Sequence, residues 1–398
     1  MTRHAGPHGP ADGMVLTGTG AVTSIGRGTD EVFEALCAGR SGRAALRAFP
    51  ADRFRARYAY EIDDRPADGQ DVPLRATRWL LQAVEEALAD AGLDDDLSRV
   101  PVLVGTGLRE LRSAELGWRD GAEFDIARLH FGTALRERFG AVRTYTVSNA
   151  CSASLHTLAM GHDMLTAGIA ETVVVAGVDS VTESMFGLLD RVQMTGPDRV
   201  RPFDRGRRGT LMGDGAAAVV LTRQTAAAAR ATEVKGRLRG VSMNCDAAHA
   251  TAPDPRGIAA AVRQAHRLAG VKPEDIDLVL LHGTGTVLND EAEATALDEV
   301  FGPHAGGPLM TALKSMTGHT SGGSGLLSLI MAARTLATGR VPATLGLDDP
   351  VPDAARFRIV RPGDTPEQPD TAAPLRLAQV NAFGFGGVNS VAVLERAA

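Results

Sequence analysis

Aromatic side chains make up only 4% of the 398 residues, which excludes a core built on large aromatic clusters. The 45 glycines point instead to tight turns and close backbone packing. Cysteine is nearly absent, at positions 37, 151 and 245 only. That spacing supplies neither a disulfide framework nor a metal-ligand set, and it suits a reducing cytoplasm. No apolar run reaches ~18 residues, so no membrane-spanning helix is expected. The first dozen residues lack the apolar core of a signal peptide and read, as residues 1–13, as a disordered tail. Positive charge is in deficit, with a net charge of −6 and an isoelectric point near 6.0. This argues against a general nucleic-acid or membrane-surface binder. Lysine occurs only at 235, 272 and 314 among otherwise arginine cations. A lysine kept inside a motif hints that a compact ammonium is needed there.

The chain is too long for one small core, so two domains or one duplicated domain are expected. Residues 14–17 read as a strand, and GTGAVTSIG as a glycine-rich turn leading to a helix capped by Thr29 or Asp30. The spacing Gly18, Gly20, Gly26 does not fit a dinucleotide fingerprint, and no P-loop lysine follows. Residues 43–70 are charged and irregular, 75–91 form an amphipathic helix, and 100–104 a buried strand. An excursion at 106–140 carries a helix near 133–139, and MFGLLDRVQM reads as irregular. Beyond an alanine-rich segment at 225–232, strands and helices alternate again. TYTVSNAC before its helix resembles TALKSMTGH before its own. A duplicated α/β unit follows, with halves 14–232 and 233–398 whose two corners meet near the middle of the molecule.

The run TYTVSNACSASLHTLAMGHDML centres on Cys151, at the corner between a β-branched strand expected to be buried and a helix ending at Gly168. There the unpaired N–H groups and the positive end of the helix dipole favour thiolate over thiol. A buried structural cysteine is the ordinary alternative, and three downstream motifs weigh against it. HGTGTVLNDEAEA sets His282 at the end of a strand, before a helix capped by Asn289 or Asp290. KSMTGHTSGGSG sets Lys314 five residues before His319, among glycines that allow close backbone approach; two histidines and a lysine do not make a zinc set. NAFGFGGVN is a glycine hinge, with Phe383 and Phe385 at alternate positions, able to aim backbone N–H groups at a substrate.

The series NACSAS, RPFD with GDGAAAVVL, HGTGT, KSMTGH and NAFGFGGVN resembles the β-ketoacyl-acyl-carrier-protein synthases, the elongating ketosynthases of fatty acid and type II polyketide assembly. The resemblance covers roughly residues 14–396. It implies a thiolase fold, with two similar α/β halves stacked as five layers (αβαβα), working as a homodimer or as a heterodimer with a ketosynthase-like subunit. It implies Cys151 as the acyl-accepting nucleophile, His282 and His319 as catalytic histidines, and Lys314 as the catalytic lysine acting beside His319. Phe385 becomes the gating residue, between Gly384 and Gly386, whose N–H forms an oxyanion hole with that of Cys151. Asp290, Glu293, Asn389 and Phe383 support the network. No cofactor or metal is implied, because substrates arrive on the phosphopantetheine of an acyl carrier protein. Arg201, Arg205, Arg207 and Arg208 are candidates for docking that acidic carrier, or for local pairing with Asp198 and Asp204.

The sequence departs from the family at four places. Asn149 stands where threonine is common, and Ser328 replaces a glutamate that would partner Lys314. Arg207 to Thr210 reads RRGT in place of RDGF, and the 106–140 excursion is short. These changes suggest a specialised biosynthetic ketosynthase with its own starter pocket. A thiolase-fold acyltransferase that transfers without decarboxylation, and a non-catalytic chain-length-factor-like partner, are the alternatives; the presence of Cys151 with both histidines speaks against the latter.

Overall fold

The computed structural model describes residues 13–364 and 374–397; the expected tail lies outside the described residues except for Gly13. Its strands are β1 (Met14–Thr23), β2 (Gly26–Arg27), β3 (Ala44–Ala45), β4 (Tyr58–Ala59), β5 (Val102–Thr106), β6 (Thr144–Ser148), β7 (Thr172–Asp179) and β8 (Gly215–Arg223). The second half adds β9 (Gly236–Cys245), β10 (Leu278–Leu280), β11 (Leu309–Thr311), β12 (Arg358–Ile359), β13 (Leu377–Gly384) and β14 (Val388–Glu395).

The duplication is visible in the pairing. The first half runs β6-β5-β7-β8-β1 and the second β11-β10-β13-β14-β9, with β12 added at its edge. Taken in order of appearance, both halves place their strands third, second, fourth, fifth, first. The directions match as well. β5 pairs in parallel with β6 and β7, and β8 is antiparallel to β7 and β1. β10 pairs in parallel with β11 and β13, and β14 is antiparallel to β13 and β9. Among the described strands, the two sets join where Met14–Leu16 meets Gly236–Leu238.

Three apolar cores separate the layers. The central one joins Leu155, Leu158 and Leu165 of helix Ala153–Thr166 to Leu326, Leu329 and Ile330 of helix Ser324–Thr338, with strand residues from both halves. One outer core packs Trp79, Leu80 and Val84 of helix Arg75–Asp90 on the first half. The other packs Ile258 and Val262 of helix Pro255–Ala269 beside Leu297 and Phe301 of helix Val287–Phe301. This is the expected five-layer thiolase arrangement. The central helices are apolar on most sides because protein surrounds them.

Several local expectations are corrected. The stretch from Gly18 is strand and not turn: β1 continues to Thr23. Its glycines let a helix settle on the strand, since a Cβ at Gly18 or Gly20 would lie 2.0 Å from the carbonyl oxygen of Ala87 or Ala83. The next helix is preceded by Gly28, and neither Thr29 nor Asp30 caps it. Residues 111–120 and 183–192 are helices, the latter capped by Thr182, whose side chain accepts from Met185 N–H. Strand β6 is a sheet edge within this chain, with Tyr145 42% exposed, and is not buried.

Gly20→Ala should therefore destabilise the fold by about 1–3 kcal/mol through overpacking, read as a lower midpoint in urea unfolding. An unchanged midpoint would mean that helix Arg75–Asp90 can move away freely.

Candidate active site

The Cys151 corner is built by strain and close packing. Beyond β6, Ala150 adopts φ 49°, a left-handed conformation that costs a residue with a Cβ and persists only where its surroundings hold it. Ala150–Ser152 form a tight turn that opens directly into helix Ala153–Thr166, so Cys151 sits in the first turn. The end of β13 presses on this corner. A Cβ on Gly384 would lie 3.2 Å from Ala150 Cβ and 3.3 Å from Cys151 N, and a bare backbone is what fits there. The backbone N–H groups of Phe385 and of Cys151 itself act on the sulfur in the direction that favours thiolate.

Cys151, His282, His319, Phe383, Phe385 and the two glycines flanking Phe385 line one cavity of about 50 Å³. The imidazoles of His282 and His319 lie edge to face with ring centroids 5.5 Å apart, and His282 packs at 5.5 Å on Phe383. Neither ring nitrogen of His319 has a partner among the described residues. Burial, the Lys314 ammonium and the neighbouring His319 hold His282 well below the usual histidine range. Burial and Lys314 do the same to His319. Both rings are neutral near pH 7.

Lys314 acts on His319 through its charge, as expected, and its hydrogen bonds go to a second partner. It is tied to His282, donating to that residue's carbonyl oxygen and lying 3.4 Å from Nδ1, and not to His319. An ammonium has only donors, so Nδ1 accepts and the imidazole proton resides on Nε2. That tautomer makes His282 a hydrogen-bond donor at the nitrogen away from the lysine. Burial brings Lys314 down to about 8, opposed by the charges of Glu293, Cys151 and Asp290. With Ser328 buried in helix Ser324–Thr338, Glu293 is the carboxylate acting most strongly on the lysine.

The supporting residues fix loops more than they touch chemistry. Glu293 accepts from the N–H groups of His282 and Gly283, both at 2.8 Å, and from Asn381 at 2.9 Å. Asp290 accepts from Phe203 N at 2.8 Å and Gly285 N at 3.2 Å. Thr286, and neither Asn289 nor Asp290, caps this helix, its hydroxyl accepting from Asn289 N–H. Asn389 donates to Asn244 and Asp246, each at 3.0 Å, and to the Gly387 carbonyl at 3.2 Å, pinning the glycine hinge.

Two expectations change with the electrostatics and the surface. Burial outweighs the helix end and pushes the Cys151 thiol up to about 11, with Lys314 pulling the other way; the resting residue is a thiol and not a thiolate. Arg207 is removed from the docking candidates, because it is buried and paired with Glu291 at 2.9 Å. Arg201 is half-buried beside Asp198, whereas Arg205 and Arg208 are exposed.

Sequence reasoning also passed over Asp179. It is fully buried at the end of β7 and accepts from Thr106 Oγ1, Gly107 N and Leu108 N at 2.7 Å and from Gly322 N at 2.6 Å. It thereby clamps the ends of both halves around the cavity. A lone carboxylate ending an apolar strand was the available signal. Met185 and Leu189 of helix Glu183–Val192 and Thr210 also line the cavity.

The family pattern described as the β-ketoacyl synthase N-terminal domain matches residues 11–227, and that of the C-terminal domain matches residues 235–348. The chain belongs to the β-ketoacyl synthase family. It is 30% identical to the 3-oxoacyl-[acyl-carrier-protein] synthase 2 of a Synechocystis species, over 94% of this chain and 96% of that protein. It is equally 30% identical to a putative polyketide β-ketoacyl synthase 1 of Streptomyces cyaneus, over 96% of this chain and 97% of that one. Among solved structures, the ishigamide ketosynthase/chain length factor superimposes with a TM-score of 0.85 at 30% identity, covering 98% of this chain and 100% of that one. No helix among the described residues is long and apolar enough to cross a membrane.

Substituting Lys314 tests its role in this β-ketoacyl synthase through pH. Burial is the larger cause of the low histidine values and Lys314 the second. In Lys314→Met the histidine values should rise part of the way back, so imidazolium forms at a higher pH. The acid limb of condensation activity should move to higher pH. An unmoved limb would show that burial alone keeps the rings neutral.

Proposed function

We propose that this enzyme is a discrete ketosynthase extending a carrier-bound acyl chain by two carbons through decarboxylative Claisen condensation. One observation carries the reading: a buried cysteine shares its cavity with two neutral imidazoles and two backbone N–H donors. Cys151 sulfur bonds to the carbonyl carbon of an acyl thioester, and the carrier thiolate departs with the thiol proton. The extender, a malonyl-type thioester, then loses carbon dioxide. The electrons of the broken carbon–carbon bond move into an enolate whose oxygen takes hydrogen bonds from His282 and His319. Each donor is worth about 3–4 kcal/mol to such a developing oxyanion in a dry site. The enolate carbon bonds to the acyl carbon on Cys151, whose oxyanion is held by the N–H groups of Cys151 and Phe385. Collapse expels the cysteine and leaves a 3-ketoacyl thioester on the carrier.

Simple acyl transfer would need the nucleophile and the two N–H donors but would leave both histidines without a task. The deciding assay mixes acylated enzyme with malonyl-carrier protein. Carbon dioxide and a 3-ketoacyl product in equal amounts are expected; transfer without gas release would replace the reading. No cofactor is invoked, since both substrates arrive on phosphopantetheine. The wider mouth of the site, about 660 Å³, is lined by Met194, Arg208, Leu288 and Phe385, which suits an apolar arm and an acidic carrier. The unpaired edge of β6, with Val142 and Tyr145 exposed, supports assembly through that strand with a second ketosynthase-like chain. Light scattering should give a dimer mass, and a monomer would remove that assignment.

A further inference from the structure

Several polar side chains lining the Cys151 cavity already have partners. Thr284 and Thr286 share a hydrogen bond of 2.9 Å, and Asn289 donates to Asp290 at 3.2 Å. His282 is tied to Lys314, and His319 is assigned to the enolate. Thr210, unlike Thr251 and Ser321 in the same lining, carries a hydroxyl that is both fully buried and unpaired. It is 3% exposed, and its Oγ1 has no hydrogen-bond partner among the described residues. The same cavity carries the apolar side chains of Met185, Leu189, Met212, Phe383 and Phe385.

A buried hydroxyl without a partner is costly, and native structures rarely leave one. Nor is Thr210 loosely placed. Its N–H donates to Gln193 Oε1, and the N–H of Gly209 donates to the Gly285 carbonyl at 3.0 Å. Gly209 sits at φ 137°, where a Cβ would meet Gln193 Oε1 at 1.9 Å. The loop is thus fixed with an unsatisfied hydroxyl on a residue lining the Cys151 cavity, at the position where RRGT replaces the family's RDGF.

We propose that Thr210 is a specificity-determining residue whose hydroxyl hydrogen-bonds an oxygen on the third carbon of the thioester-bound acyl group. This rests on the condensation reading above. The cavity holds only the few atoms next to the sulfur. The oxygen on the first carbon belongs to the N–H pair, and the second carbon of the extender must become the carbon nucleophile. The third carbon is the nearest that carries oxygen, as a keto or hydroxyl group in a growing chain or as the carboxylate of the extender.

Thr210→Val keeps the shape and removes the hydroxyl, and Thr210→Ser restores it. Two rates separate the sources: loading of Cys151 from hexanoyl- against 3-oxohexanoyl-carrier protein, and carbon dioxide release from malonyl-carrier protein by hexanoyl-loaded enzyme. If the chain oxygen is the partner, Thr210→Val loses about tenfold in kcat/KM with the 3-oxo substrate, keeps hexanoyl loading, and Ser recovers the loss. If the extender carboxylate is the partner, KM for malonyl-carrier protein rises about tenfold with hexanoyl loading intact. Equal losses on every substrate, or no loss on any, would overturn the proposal. Absence of carbon dioxide from the unmodified enzyme would instead sink the condensation reading, and the loading arm would still report on Thr210.

Discussion

Cys151→Ala should show no acyl adduct by intact mass after incubation with any acyl-carrier protein, and condensation should fall by about 10³-fold or more. The geometry leaves no substitute. Cys151 is the only cysteine in the cavity, while Cys37 is half-buried in the core's margin and Cys245 is exposed. Replacing either of those with serine should leave the adduct unchanged. The rate of loading carries a second signature. Because burial raises the thiol to about 11, the thiolate fraction near pH 7 is small and grows roughly tenfold per pH unit up to that value. Loading, or alkylation by iodoacetamide, should accelerate steadily through the neutral range. A plateau reached below pH 7 would mean that the helix end and Lys314 outweigh burial, as the sequence alone suggested. An adduct persisting in the alanine variant would move the nucleophile elsewhere.

How much of this was legible beforehand depended on the range of the interaction. The motif order placed Cys151, His282, His319 and Phe385 in one cavity, because each motif is a local device (a corner, a strand end, a glycine hinge) repeated at equivalent points of a duplicated topology. The duplication itself showed in TYTVSNAC and TALKSMTGH, whose strands β6 and β11 occupy the same place in their halves. What escaped was set by partners far along the chain. Gly18 and Gly20 look like a turn until helix Arg75–Asp90 is laid against them. Asp179 is one acidic residue after an apolar strand until Gly107 and Gly322 converge on it. The sign of the Cys151 shift needed the burial of the finished cavity, and Arg207 looked free until Glu291 arrived beside it. Composition and periodicity carry no register for such meetings.

His282→Ala and His319→Ala should each keep acyl loading near normal and lose about 10²–10³-fold in carbon dioxide release. The argument turns on neutrality. Both rings are held well below the usual histidine range by burial first and by Lys314, so neither offers a positive charge, and His282 bears its proton on Nε2. In the proposed condensation their work is hydrogen-bond donation to one developing enolate oxygen. Two consequences distinguish this from acid–base catalysis. The double alanine variant should be much less impaired than the product of the single losses, because two donors on one oxygen form a unit. His319→Asn, which keeps a neutral N–H donor, should recover about tenfold over His319→Ala, whereas a base would not be replaced by an amide. Decarboxylation should also stay flat from pH 7, where Lys314 is still mostly charged, down past 6.5, falling only where the buried rings finally protonate. A rate that instead drops through an ordinary histidine value, or alanine variants that lose loading and decarboxylation in equal measure, would assign these rings to proton transfer.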